Sequence, residues 1–127
     1  MVKIEHVALY CKDLEESREF YEKYFGAKSN NLYVNKKGFS SYFLTFEGGA
    51  RLELMSHEQL IERSVIDKST GWNHIAFSVG SREEVIRLTN QLIEDGYLIY
   101  SNVRETGDGY FESCISDPFG NRVEITV

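Results

Sequence analysis

Two histidines and two glutamates stand at matching places in two similar parts of this chain. Residues 4–9 (IEHVAL) are repeated as residues 72–77 (WNHIAF), and residues 51–54 (RLEL) are repeated as residues 122–125 (RVEI). Imidazole nitrogens and carboxylate oxygens are common ligands of divalent metals. The repetition therefore predicts that the two halves bring four ligands to one divalent metal ion: His6, Glu53, His74 and Glu124.

The same order of elements is expected in both halves: a strand, a helix and three strands. In the first half the strands are predicted at 2–10, near 31–35, and at 39–46 and 50–55. In the second half they are predicted at 72–79, 97–103, 110–116 and 122–127. The period of two in apolar residues indicates the strands, and turn residues separate them.

A helix is predicted after the first strand of each half. Asp13 with Glu16, and Ser81 with Glu84, have the spacing of a capping box at a helix start. Gly26 and Gly96 are expected to end the two helices. The caps are separated by the same number of residues as the two histidines. We therefore interpret the chain as a duplicated module.

The buried faces of the two helices follow from apolar residues at helical spacing. The expected faces are Leu14, Ser17, Phe20, Tyr21, Tyr24 and Phe25 in the first helix, and Val85, Leu88, Leu92 and Ile93 in the second.

Alternation along the strands places the four candidate ligands on one face of each sheet. Glu53 lies between Leu52 and Leu54, so it points away from the apolar face that a helix must cover. The same reasoning places Glu124 opposite its apolar neighbours, and His6 and His74 opposite theirs. All four side chains are therefore expected on the faces that the helices leave open.

A single histidine or glutamate on a strand is more often a structural or solvated residue than a ligand. Burying two carboxylates together is costly, because like charges in a medium of low dielectric constant cannot both ionise easily. A divalent cation removes that cost. A set of nitrogen and oxygen ligands suits Zn, Ni, Co, Mn or Fe better than Ca or Mg, which prefer oxygen alone.

Composition excludes several classes of protein. The 127 residues carry a net charge of −6, which offers no basic surface for a nucleic acid. No apolar stretch is long enough to span a membrane, and the N-terminus does not resemble a signal peptide. Cys11 and Cys114 do not share the repeat spacing, so thiolate ligands are not expected and a reduced, cytoplasmic setting is the simplest interpretation.

Other polar and aromatic residues give weaker indications. Arg51 and Arg122 stand two positions before the glutamates and either pair with acidic groups, which we favour, or contact an anionic substrate. Arg104, Asp108 and Glu112 face either the cavity or the solvent, of which we favour the solvent, and His57 is expected at the surface. A short helix is expected at 58–64 in the polar linker 57–71. Position alone makes four aromatic residues candidates for a substrate pocket: Tyr10, Tyr42, Tyr110 and Phe119.

Two βαβββ modules with a histidine in the first strand and a glutamate in the last resemble the vicinal oxygen chelate superfamily. The closing string of residues 117–124 (DPFGNRVE) strengthens the resemblance. It implies an α+β fold with a curled mixed sheet around a concave metal site. One domain would span 1–127, with modules 1–56 and 72–127. The superfamily includes glyoxalase I, bleomycin-resistance proteins and dioxygenases, so the resemblance specifies fold more than reaction.

The set of four ligands is most similar to that of short bacterial glyoxalase I, a lactoylglutathione lyase. That similarity implies isomerisation of a small substrate with vicinal oxygens, such as a hemithioacetal, through an enediolate held by the metal. Glu124 would remove the carbon-bound proton, and Glu53 would help to return it. Short members of the family also pair as homodimers, with each site built from the first module of one chain and the second module of the other.

One departure from the family pattern concerns the thiol. Glutathione-dependent members carry an arginine four residues after the first histidine, and this chain has Tyr10 there. The sequence therefore leaves open whether the substrate contains another thiol or no thiol. A resistance protein of the same superfamily, which transfers a thiol to a drug or only binds it, is the alternative. The presence of Glu53 favours the enzyme, because a binding protein has no need of a fourth ligand.

Overall fold

The computed structural model describes residues 1–64 and 68–127 and divides into two compact units, Met1–Arg63 and Ser64–Val127. The first unit contains β1 His6–Tyr10, α1 Leu14–Phe25, β2 Lys28–Ser29, β3 Tyr33–Val34, β4 Phe39–Thr45 and β5 Arg51–His57. Its sheet has the order β1-β5-β4-β2, and β3 also pairs with β4. β1 runs parallel to β5, whereas the other pairs are antiparallel.

The second unit repeats this arrangement. It contains β6 His74–Ser78, α2 Arg82–Glu94, β7 Ile99–Glu105, β8 Phe111–Ser116 and β9 Arg122–Thr126, with the sheet order β6-β9-β8-β7. Again the first and last strands of the unit are parallel neighbours. The predicted α+β class with two βαβββ modules is confirmed. The second strand of the first module is divided into the short β2 and β3.

Side-chain caps begin both helices where the sequence predicts. The Asp13 carboxylate accepts the Glu16 N–H at 3.0 Å, and the Ser81 hydroxyl accepts the Glu84 N–H at 3.1 Å. Gly26 ends α1 in the left-handed region at φ 66°, which a residue with a side chain rarely adopts. These local contacts set where each helix starts and stops.

Each helix covers the apolar face of its own sheet. Leu52 and Leu54 of β5 are almost fully buried, as are Val123 and Ile125 of β9. On α2 the Thr89 hydroxyl donates to the Val85 carbonyl and lies 2.7 Å from the Ser113 hydroxyl of β8. We call the opposite, uncovered side of each sheet its open face.

Thr89 replaces an expected residue in the core. Ile93 was expected on the buried face of α2 but is 42% exposed, whereas Thr89 is fully buried. Hydrophobicity alone therefore does not decide which residues of α2 are buried. A threonine hydroxyl can be buried at low cost when it is hydrogen-bonded, and Thr89 has two such contacts.

Two expectations about chain segments are wrong. The first strand starts at His6 rather than at residue 2, because its parallel partner β5 starts at Arg51. Residues 58–64 form no helix. Leu60 and Ile61 are adjacent and are the only apolar residues there, so no helical face could be buried. The rest of the predicted linker includes residues 65–67, which lie outside the described part of the chain.

Among the residues described, neither helix is long and apolar enough to cross a membrane.

Candidate metal centre

His6 and Glu53 meet on the open face of the first sheet. β1 and β5 are parallel with Ala8 opposite Glu53, so His6 and Glu53 project on the same side. The His6 Nε2 lies 3.8 Å from the Glu53 Oε1. The Phe43 ring of β4 contacts the His6 ring edge-on, with centroids 5.4 Å apart. The predicted orientation of this pair is found in the structure.

His74 and Glu124 form the equivalent pair in the second unit. The register of β6 and β9 places Ala76 opposite Glu124, and the His74 Nε2 lies 3.2 Å from the Glu124 Oε1. Both glutamates are largely buried, with side chains 14% and 20% exposed, whereas both histidines are partly exposed. Each unit therefore presents one histidine nitrogen and one carboxylate together.

The residue before each histidine holds the other ring nitrogen. The His74 Nδ1 lies 2.8 Å from the Asn73 side-chain oxygen, and the His6 Nδ1 contacts the Glu5 carboxylate. An amide oxygen accepts hydrogen bonds, so the contact with Asn73 orients the imidazole with its Nε2 toward Glu124. Such a partner is the usual way in which proteins orient a metal-binding histidine.

This arrangement fits a cation. The His74 Nε2 lies 3.2 Å from a carboxylate oxygen of Glu124, and nitrogen and oxygen atoms placed together in this way suit a divalent metal. Within residues 1–64 and 68–127 no three His, Cys, Asp or Glu side chains gather around a point that could hold a metal. Each unit thus provides two ligands of suitable chemistry, and a complete metal shell needs more.

Glu112 adds a second carboxyl group beside Glu124. The solvent was favoured over the cavity for this residue, but it is only 9% exposed and lies on the same face as Glu124. Burial, and then the Glu112 hydrogen bond, raise the pKa of Glu124 to about 7, while Arg104 lowers it. The alternation of β8 puts Glu112 and Cys114 on the open face, and Cys114 pairs with Glu124. The sequence alone did not predict that Glu112 lies beside Glu124, because this contact depends on the register between β8 and β9.

The two arginines before the glutamates differ in their partners. Arg51 pairs with the Glu5 carboxylate and stacks on the Phe43 ring at 4.3 Å, which confirms its structural interpretation. Arg122 stacks on the Tyr100 ring at 4.2 Å. Hydrogen bonds from His6 and then from Arg51 lower the pKa of Glu5, so this carboxylate is ionised at neutral pH.

The four aromatic pocket candidates lie in different places. Tyr10 is on the open face of the first sheet and 54% exposed. The expectation for Tyr42 is wrong, because its register with Leu54 turns it toward α1, where its hydroxyl donates to Glu15. Tyr110 lies beside Arg82 and Phe111, and Phe119 is partly buried in the β8–β9 turn.

His57 lies at the end of β5, not in a linker. It pairs with Phe39 and is partly exposed, which agrees with the expectation of a surface residue. Its ring accepts the Gln59 N–H at 3.0 Å. His57 also lines a cavity of about 550 Å³ with Lys12 and Lys36, and neither His6 nor Glu53 lines it. This cavity is therefore separate from the His6–Glu53 pair.

Comparison with known proteins identifies the superfamily of this chain. The profile of the Glyoxalase/Bleomycin resistance protein/Dioxygenase superfamily matches residues 3–125. A trivalent organoarsenical cleaving enzyme of Bacillus sp. (strain MD1) is 32% identical over 127 residues, which cover 98% of this chain and 72% of the relative.

Solved structures show the same fold. A glyoxalase family protein from Enterococcus faecalis is 25% identical with a TM-score of 0.79, covering 98% of this chain and 97% of its own. Glyoxalase I from Zea mays is 20% identical with a TM-score of 0.80, a likeness of fold alone, and this chain spans 44% of that chain. This protein belongs to the Glyoxalase/Bleomycin resistance protein/Dioxygenase superfamily.

Proposed function

We propose that the protein is a metal-dependent, glyoxalase-like isomerase or lyase. Its substrate would be a small molecule with two vicinal oxygens, such as the hemithioacetal of a 2-oxoaldehyde and a thiol. The observation that supports this most is the duplicated pair, in which a histidine nitrogen faces a buried carboxylate in each unit. Membership of a superfamily that contains glyoxalase I and an arsenical-cleaving relative is consistent with catalytic activity.

In this proposal His6, Glu53, His74 and Glu124 bind one divalent ion of Zn, Ni, Co, Mn or Fe. Such an ion supplies Lewis-acid chemistry that polarises the vicinal oxygens of a substrate. Glu5 and Asn73 hold the two imidazoles so that each Nε2 stays available as a ligand atom.

The two glutamates also carry the proton transfer. Glu124 takes the carbon-bound proton of the substrate, and a proton returns to the neighbouring carbon with the help of Glu53, so that no oxidant or reductant is consumed. A partly desolvated carboxylate suits this role, because burial raises the pKa of Glu124 and makes it a stronger base than a solvated glutamate.

The thiol that enters such a hemithioacetal need not be glutathione. Tyr10, rather than an arginine, is exposed on the open face of the first unit. A tyrosine presents a ring and a hydroxyl and cannot form a bidentate ion pair with a carboxylate. We therefore propose a broader range of thiols.

Metal content and turnover together test the proposal. Protein purified without an affinity tag is analysed for metals and then assayed with hemithioacetals of several thiols after loading with Ni, Zn or Mn. We expect Glu124→Gln to abolish turnover while retaining metal, and Glu53→Ala and His74→Ala to lose metal. Glu94→Gln, which removes an exposed carboxylate from α2, is the control. Full metal occupancy in both alanine variants would defeat the four-ligand proposal.

Two alternatives use the same open faces. Metal binding without turnover of any hemithioacetal would favour a resistance protein that binds a small molecule or transfers a thiol to it. The arsenical-cleaving relative, 32% identical over 98% of this chain, supports a second candidate reaction, so a trivalent organoarsenical belongs in the assay. We further propose a homodimer, as the family resemblance implies.

A further inference from the structure

The two units differ at one residue beside their histidines. Glu5 precedes His6, and Asn73 precedes His74 at the equivalent place. Both side chains present an oxygen to the Nδ1 of the histidine that follows. Orientation of the imidazole is therefore the same in the two units, but only the first unit carries a negative charge there.

This difference changes the ion-pair partner of the neighbouring arginine. In the first unit, one oxygen of Glu5 pairs with Arg51 while the other contacts His6. In the second unit, the amide of Asn73 has no charge to offer Arg122. Among the residues described, no carboxylate lies within ion-pair distance of Arg122, whereas Arg51, Arg82 and Arg87 each have one.

Arg122 is nevertheless held in place. Its guanidinium lies over the Tyr100 ring at 4.2 Å, and the Tyr100 hydroxyl donates to the Gly120 carbonyl at 2.8 Å. Stacking on an aromatic ring restrains a guanidinium and leaves its N–H groups free to donate in the plane of the guanidinium. The side chain is also partly buried. Pre-organised donors of this kind bind carboxylates and phosphates well.

The location of Arg122 connects it with the candidate metal centre. The register of β6 and β9 places Arg122 directly opposite His74, and alternation puts it on the same open face as Glu124. The position of Arg122 next to two proposed ligands suits recognition of a bound molecule.

We propose that Arg122 is a specificity-determining residue that binds an anionic group of the substrate. The substrate would then carry a carboxylate or phosphate a few atoms from its vicinal oxygens. The part of this inference that concerns the vicinal oxygens rests on the proposed function. The anion site itself depends only on Arg122, Tyr100 and the absence of a charge at Asn73.

A first experiment uses the metal-free protein. The Nε–Hε NMR signals of Arg51 and Arg122 are followed during titration with inorganic phosphate and, separately, with acetate. We expect the Arg122 signal to shift with saturation at a concentration at least tenfold below any shift of Arg51. Equal responses of the two arginines, or no response of Arg122, would overturn the inference whether or not the protein is an isomerase.

A second experiment uses the metal-loaded protein and three α-hydroxycarbonyl probes. Calorimetry compares the affinities of dihydroxyacetone phosphate and hydroxypyruvate with that of neutral dihydroxyacetone. We expect at least a tenfold preference for one anionic probe, and the two probes distinguish a phosphate site from a carboxylate site. The preference should fall to within about threefold in Arg122→Gln, since the lost hydrogen bond to a charged group contributes about tenfold or more in affinity.

Two further variants separate charge at this site from net charge. Asn73→Glu gives the second unit the carboxylate that the first unit has, and it should remove the preference although Arg122 is retained. Arg87→Gln on α2 makes the same change in net charge and should keep the preference. A preference that survives both Arg122→Gln and Asn73→Glu would overturn the inference. The Arg122 signal could shift in the first experiment while no probe binds in the second. That result would support the anion site and count against the proposed function.

Discussion

Glu112 and Glu124 lie diagonally opposite each other on strands β8 and β9, since Glu112 pairs with Thr126 and Glu124 pairs with Cys114. Burial, and then the neighbouring Glu112 carboxyl, raise the pKa of Glu124 to about 7. The pair lies on the open face of the second unit beside His74. In the metal-free protein Glu124 therefore keeps its proton to a higher pH than an ordinary glutamate does.

The pair predicts a pH dependence of folding in the metal-free protein. The pKa of Glu124 is raised from an ordinary value of 4.5 to about 7, so the folded state holds this proton after the unfolded chain has released it. The contribution to stability is therefore complete below pH 4.5 and is lost as the pH rises to about 7. Glu112→Gln should reduce this loss by on the order of 1 kcal/mol.

Urea unfolding in the presence of EDTA at pH 5 and pH 8 measures this effect. The control is Glu94→Gln, whose carboxylate is exposed at the end of α2. Wild type and Glu94→Gln should lose more free energy of unfolding between the two pH values than Glu112→Gln does. Identical losses in all three proteins would mean that the two carboxyls do not interact.

Mixing two inactive variants tests whether a dimer completes the metal site. If one site takes its ligands from two chains, His6→Ala and His74→Ala subunits can combine to give one intact site. After unfolding and refolding of an equimolar mixture, we expect about a quarter of the wild-type metal content, because half of the dimers are mixed and each has one intact site. Metal analysis after gel filtration measures it. No recovery in the mixture would place all ligands of a site in one chain.

The Thr89–Ser113 contact should contribute measurably to stability. Thr89→Val leaves the fully buried Ser113 hydroxyl without this partner, and an unsatisfied buried polar group costs about 1–3 kcal/mol. Ser113→Ala alone should cost less, because the Thr89 hydroxyl also donates to the Val85 carbonyl. The free energy of unfolding in urea gives both values.

A double-mutant cycle completes this test. In Thr89→Val combined with Ser113→Ala, neither hydroxyl is left alone, so the double variant should be more stable than Thr89→Val itself. If the loss in the double variant equals the sum of the losses in the two single variants, the contact contributes nothing of its own.

The thiol of Cys114 is predicted to react slowly in the folded protein. Burial, and then the charge of Glu124, raise its pKa from 9.0 to about 11. At pH 8 the thiolate is about a hundredfold scarcer than in the unfolded chain, and only the thiolate is alkylated. Iodoacetamide labelling of Cys11→Ser, with and without urea, should show at least that difference. Equal rates would remove the basis for treating Cys114 as an unreactive thiol.

Patterns within short stretches predicted much of the fold. The caps at Asp13 and Ser81 and the alternation around Glu53 and Glu124 depend on neighbours within a few residues, so the sequence shows them directly. The predictions of where strands begin and end were less accurate. β1 starts at His6 only because β5 starts at Arg51, and a partner so far along the chain has no local signal.

The sequence by itself determined the duplicated βαβββ order and the four candidate ligands, because repetition and alternation are properties of the chain. Only the tertiary structure decided that Glu112 lies against Glu124, that Tyr42 faces α1, and that Arg51 is paired while Arg122 is not. These contacts depend on the register between strands. A shift by one residue would turn each of these side chains to the other face.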